Sequence, residues 1–167
     1  ELAPLPGDAF SARRCRSIQL FELRSDLTRY LAEQAQGVTF DDIAASIASA
    51  GVKTGVERFV LGPEAPTREA YESALREYRP SLQAAFADAF AGRVDAIVFP
   101  MTQVPALPIG QDVDFEVKGR KFPTLYLGRN ADPGTCAGLP GICLPAGLTV
   151  ANLPVGIAFD TSHGADR

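Results

Sequence analysis

The 167-residue chain has no Trp, one Met and one His, and its three cysteines lack any C-x-x-C spacing. Each scarcity excludes something. Cys15, Cys136 and Cys143 are an odd number, which suits neither a disulfide scaffold nor a four-cysteine zinc site, and points to reduced thiols. No apolar run approaches the roughly 18 residues of a spanning helix, and no basic-then-apolar leader opens the chain, so neither a membrane nor a secretory role is indicated. Basic charge is also short: 16 Lys and Arg stand against 20 Asp and Glu, a net charge of −4. That balance argues against a nucleic-acid partner, although the basic residues are mostly Arg. G-x-S-x-G, the P-loop and G-x-G-x-x-G are all absent, removing the signatures of α/β-hydrolases and of phosphate or dinucleotide cradles. His163, in Thr161-Ser-His-Gly164, reads as a solvated loop residue.

What is present divides into a mainly helical part, residues 1–92, and a part rich in strands, Pro and Gly, residues 93–167. Leu20, Phe21, Leu23, Leu27, Tyr30 and Leu31 recur at helical spacing, with Gly37 placed to close that helix. Thr39 and Asp42 form a capping-box pattern, and the short helix they introduce is expected to end at Gly51. Residues 52–61 are poorly patterned, and Gly62-Pro-Glu-Ala-Pro66 reads as a loop. Thr67 caps a longer pattern through Tyr71, Ala74, Tyr78, Leu82, Phe86 and Phe90. Pro80 inside it predicts a kink or two abutting helices. Glu69, Glu72, Arg76 and Arg79 read as its solvated face.

Beyond Gly92 the pattern changes. Asp95-Ala-Ile-Val-Phe99 reads as a strand buried on both faces. Asp114–Val117 and Lys121–Phe122 flank Gly119 as a hairpin, with Asp112 and Asp114 as solvated charge. Gly141–Leu144 and Val155–Phe159 are two further strands. Three apolar strands with helices supplied mainly from one end of the chain make an incomplete α/β sheet. The Gly and Pro residues around Gly141–Leu144 bring backbone close to something, either a neighbouring element or a ligand.

Ala137-Gly-Leu-Pro-Gly-Ile-Cys-Leu-Pro-Ala-Gly147 followed by Leu-Pro-Val-Gly156 resembles the C-terminal signature of the amidase signature family. Asp95-Ala-Ile-Val-Phe-Pro-Met-Thr102 is similar to that family's strand into Pro-Thr. Phe122-Pro and Arg129-Asn-x-Asp-Pro-Gly134 resemble its indoleacetamide and mandelamide hydrolase branch in particular. The resemblance runs from about residue 67 to residue 167, with Asn152 in place of the usual Gly and Met101 inserted before Thr102.

The resemblance implies the C-terminal portion of an α/β fold, a mixed sheet flanked by helices. It also implies hydrolysis of a primary carboxamide by a Ser–cis-Ser–Lys mechanism, without cofactor or metal. The triad motif has no counterpart in these residues, so no catalytic residue is assigned here. Asn130, Asp132, Thr135, Cys136 and Leu139 become the candidate substrate-binding wall, although Asn-x-Asp-Pro-Gly is equally a turn sequence. Expected partners are a small-molecule amide and the N-terminal part of the same amidase, with no nucleic acid and no membrane; a homodimer stays open. The expected location is the cytoplasm. Two alternatives remain: the amidotransferase subunit of the same family that supplies ammonia to a partner, and a non-catalytic interaction module.

Overall fold

The computed structural model describes residues 12–34, 37–92 and 94–166. Helix α1 (Ala12–Gln34) is followed by α2 (Phe40–Ser46) and α3 (Ala50–Phe59). The α2 start is a capping box: the Thr39 side chain accepts from the Asp42 amide at 3.2 Å, and the Asp42 carboxylate accepts from the Thr39 amide at 2.9 Å. Gly51 does not end α2. That helix stops at Ile47, whose backbone is extended, and Ser49 caps α3 by accepting from the Val52 amide. Gly51 lies in the first turn of α3, where a Cβ would collide with the Asp112 carbonyl. Close approach, not helix termination, is what that glycine permits.

Thr67 caps α4 (Arg68–Ser73), which runs through a π-turn (Ala74–Tyr78) into α5 (Arg79–Phe90). The Arg79 amide donates to the Ala74 carbonyl five residues back, and Pro80 sits in the first turn of α5, where a missing N–H costs little. The helical path therefore continues past the proline. Ala74, Tyr78, Leu82 and Phe86, four residues apart, are its buried stripe. Glu72 and Arg76 pair on the outside at 3.6 Å. Arg79 is not on that solvated face: its Nε is buried, with no hydrogen-bond partner among the described residues.

Strands β1 (Ala96–Pro100), β4 (Gly141–Leu148) and β5 (Pro154–Thr161) form one antiparallel sheet in the order β1-β5-β4. A separate hairpin joins β2 (Asp114–Val117) to β3 (Arg120–Pro123) through Lys118 (φ 50°) and Gly119 (φ 78°), a two-residue turn with both residues left-handed. A 3₁₀ turn (Thr124–Gly128) and the short helix α6 (Asp132–Ala137) lead back to the sheet. Asp112 is not simply solvated. It accepts from Ser49 Oγ at 2.7 Å and the Gly51 amide at 3.4 Å, tying the hairpin's entry to α3, and these bonds hold its carboxyl below the usual range.

Register assigns the two faces of the larger sheet. Ile97, Asp160 and Gly141 lie opposite one another, as do Phe99, Ala158 and Cys143, so all six share one face. Ile97 packs against the core of Cys15, Tyr78, Leu82, Phe86 and Ala137, which places α1, α5 and α6 over that face. Val98, Phe159 and Ile142 form a row on the other face, with Val98 51% and Ile142 59% exposed. The strand expected to be buried on both sides is covered on one, because no described element packs over Val98. All eight residues of β4 are exposed.

Candidate functional site

The site is built around α6 and the strands that follow it. Pro133 lies in the first turn of α6, and Gly138 (φ 78°) ends it in the left-handed conformation. The Leu139 amide then donates to the Gly134 carbonyl at 2.9 Å, closing the turn into β4. Gln83 Nε2 donates to the Ala137 carbonyl at 2.9 Å and fixes this end of α6 to α5. The Asn-x-Asp-Pro-Gly segment is thus both a turn and a helix start.

The five sequence-designated residues separate here. Asn130 accepts from Gln103 Nε2 at 3.1 Å and donates to the Pro100 carbonyl at 2.8 Å, strapping the loop after β1 to the entry of α6. Asp132 pairs with Arg16 at 3.2 Å, both side chains being largely buried. Arg16 also donates to the Leu125 carbonyl and lies over the Tyr126 ring. Burial pushes the Asp132 carboxyl up, and Arg16 offsets only part of that shift. Cys136 packs inward against the core. Thr135 and Leu139 line a cavity of about 230 Å³ together with Phe99, Ile142, Cys143 and Asp160. Leu139 also borders a more open cavity of about 550 Å³, lined by Phe86, Phe90, Ser162 and His163.

Asp160 is the residue that sequence reasoning missed. Its carboxylate occupies the space that a Cβ on Gly134 would fill, and its other oxygen lies 2.6 Å from the position of a Cβ on Gly141. A Cβ on Gly156 would similarly come within 2.7 Å of Cys143 Sγ. The glycines of the Asp-Pro-Gly, Leu-Pro-Gly and Pro-Val-Gly segments therefore make room, on one sheet face, for two polar side chains at a cavity wall. Burial pushes the Asp160 carboxyl up, and among the described residues no hydrogen bond or cation offsets that shift. A half-buried carboxylate can accept hydrogen bonds from an amide or pair with a cation entering the cavity. The available signal was positional: Asp160 follows Val155-Gly-Ile-Ala-Phe159 on the same face as Gly156.

A second cluster lies beneath α6. The Cys15 sulfur is 3.4 Å from the Tyr78 hydroxyl, and Cys136 packs against the same core. The neighbouring Cys136 and Tyr78 side chains lower Cys15 to about 7 against the effect of burial, whereas Cys136 and Tyr78 are pushed up. Among the described residues, no group of three or more His, Cys, Asp or Glu could hold a metal ion.

The amidase family model matches residues 8–167. The chain belongs to the amidase family. It is 40% identical over 153 residues to an indoleacetamide hydrolase of Agrobacterium vitis, covering 90% of this chain and 32% of that protein. Against a mandelamide hydrolase of Pseudomonas putida it is 38% identical over 162 residues, covering 89% and 30%. An amidase crystal structure superposes with a TM-score of 0.66 at 21% identity, over 95% of this chain and 33% of that one. The chain thus spans about a third of the length of the relatives it matches. Their shared fold accounts for the helices on one face of the antiparallel sheet, and the incomplete α/β layer is that of an amidase portion. Asn152 takes a left-handed backbone (φ 62°) in the β4–β5 turn, as a Gly at that position would, and Asn tolerates this better than most residues.

Proposed function

We propose that this chain is the C-terminal third of an amide hydrolase that converts an arylacetamide- or mandelamide-like primary carboxamide to carboxylate and ammonia. The nucleophilic serine comes from the preceding part of the same polypeptide. It attacks the carboxamide carbon, ammonia leaves, and water releases the acid from the acyl-enzyme. Residues 1–92 supply the helical layer and 93–167 complete the sheet and the acyl pocket. Thr135 and Leu139 are pocket wall, joined by Asp160, while Asn130, Asp132 and Cys136 act from behind by holding α6 in place. No helix among the described residues is long and apolar enough to cross a membrane; the proposed location is the cytoplasm.

One observation carries this reading. Helices cover one sheet face while the apolar row of Val98 and Ile142 on the other stays exposed, and exposed edge strands and apolar patches call for a covering element. The preceding two-thirds of an amidase would supply one. The test is ammonia release from indoleacetamide and mandelamide by the whole polypeptide and by residues 1–167 alone. Turnover is expected from the first and none from the second. Turnover by residues 1–167 that is lost on substitution within them would overturn the proposal.

A further inference from the structure

Asp160 is a carboxylate without a use in the fold. Its side chain is half-buried, yet among the described residues nothing donates a hydrogen bond to it and no cation pairs with it. Burying a charged group without a partner costs stability, so packing alone does not account for this residue. The surrounding chain nevertheless makes room for it. Oδ2 lies where a Cβ on Gly134 would stand, and Oδ1 lies 2.6 Å from the position of a Cβ on Gly141, so a side chain at either glycine would displace the carboxylate. Asp160 shares its sheet face with Phe99 and Ala158 and borders the cavity of about 230 Å³, whose other walls include Phe99, Leu139 and Ile142. An apolar cavity of about 150 Å³ already holds a benzene ring. This one has room for a fused two-ring aryl group.

We propose that the Asp160 carboxylate accepts a hydrogen bond from a ring N–H of the substrate's aryl group, and so selects acetamides of N–H-bearing rings, such as indole, over those of rings without the donor. The inference rests on the amide-hydrolase reading and adds to it the residue that chooses among aryl amides. Phe99, Leu139 and Ile142 line the same cavity, so the group that enters beside the carboxylate is itself apolar. An ionised carboxylate only accepts hydrogen bonds, so that group also carries a donor. A ring N–H meets both conditions. A hydroxyl next to the carboxamide, as in mandelamide, stays with the carboxamide at the serine, which lies outside these residues. A ring of the same shape that lacks the N–H leaves the half-buried acceptor unpaired, and that is how a polar site rejects a near-isostere.

The test follows ammonia release by the whole polypeptide from indoleacetamide and from its benzofuran analogue, in which a ring oxygen replaces the N–H. The wild type is expected to favour the indole compound in kcat/KM by about tenfold to a hundredfold. Asp160→Leu, similar in shape and without an acceptor, should bring that ratio to about one, and Asp160→Asn, which keeps one acceptor oxygen, should fall between. If Asp160→Leu does not fold, Asp160→Asn decides alone. A purely structural role would lower kcat/KM for both amides alike and leave their ratio unmoved. That result, or a wild type indifferent to the two rings, overturns the inference while ammonia release leaves the amide-hydrolase reading standing. A shift in mandelamide against phenylacetamide, in place of the indole ratio, would assign the carboxylate to the hydroxyl and overturn it as well. No ammonia from any of these amides overturns the amide-hydrolase reading, and the inference with it.

Discussion

Gly51 and Gly55 lie in the same helix, α3, and the structure predicts opposite consequences for placing alanine at each. On intrinsic propensity alone, both changes stabilise a helix, by about 0.5–1 kcal/mol. At Gly55 nothing lies within 4 Å of the added Cβ, so that gain should appear in full. At Gly51 the Cβ meets the backbone carbonyl of Asp112. That carbonyl accepts from Thr124 Oγ1 at 2.7 Å, and the Asp112 carboxylate accepts from Ser49 at 2.7 Å, so the segment cannot retreat without losing these bonds. Overpacking of this kind costs about 1–3 kcal/mol. The propensity gain offsets about 0.5–1 kcal/mol of that, so Gly51→Ala should be destabilising by up to about 2.5 kcal/mol, an unfolding temperature lower by up to roughly 10 °C for a chain of this size. Gly55→Ala should raise it. Thermal and urea unfolding of the two variants beside the wild type decide the matter. A Gly51→Ala protein as stable as Gly55→Ala would refute the contact between α3 and the hairpin entry.

Leu82 has no exposed surface and sits at the centre of the core, so Leu82→Ala should cost about 2–5 kcal/mol by urea unfolding; a loss below about 1 kcal/mol would mean the core is not packed as described. Asp160 provides a pH test. Its folded carboxyl is raised by burial, so its contribution favours the fold below the ordinary carboxylate value of 3.8 and is lost as pH rises through the folded value. Asp160→Asn should therefore raise the urea midpoint at about pH 7, with the difference from wild type disappearing below pH 3.8. A variant less stable than wild type at neutral pH would reveal a cation partner for the carboxylate.

Features set by neighbours within a few residues were legible without coordinates. The Thr39–Asp42 capping box, the Thr67 cap and the turn at Gly119 each depend on bonds or φ angles inside one turn, and each formed as its residues dictate. The Gly-Leu-Pro and Leu-Pro-Val-Gly segments sufficed for the family. The misreadings arose where a distant segment intervened. Gly51 looked like a helix terminator until Asp112 came to lie against it, and Arg79 looked solvated until α6 covered it.

The same division holds for the site. Local sequence marked out residues 130–139 as special and identified the glycines as points of close approach. It could not name what approached. That depended on strand register, which sets Asp160 opposite Gly141, and on the packing of α6, which sets Gly134 against the same carboxylate. Chain chemistry alone determined the caps, the turns and the family; the tertiary fold decided which carboxylate borders the cavity and which helices share the core. The reason is physical. A hydrogen bond within one turn needs only local dihedral angles, whereas contacts across the chain exist only after the sheet and helices have closed on a common core.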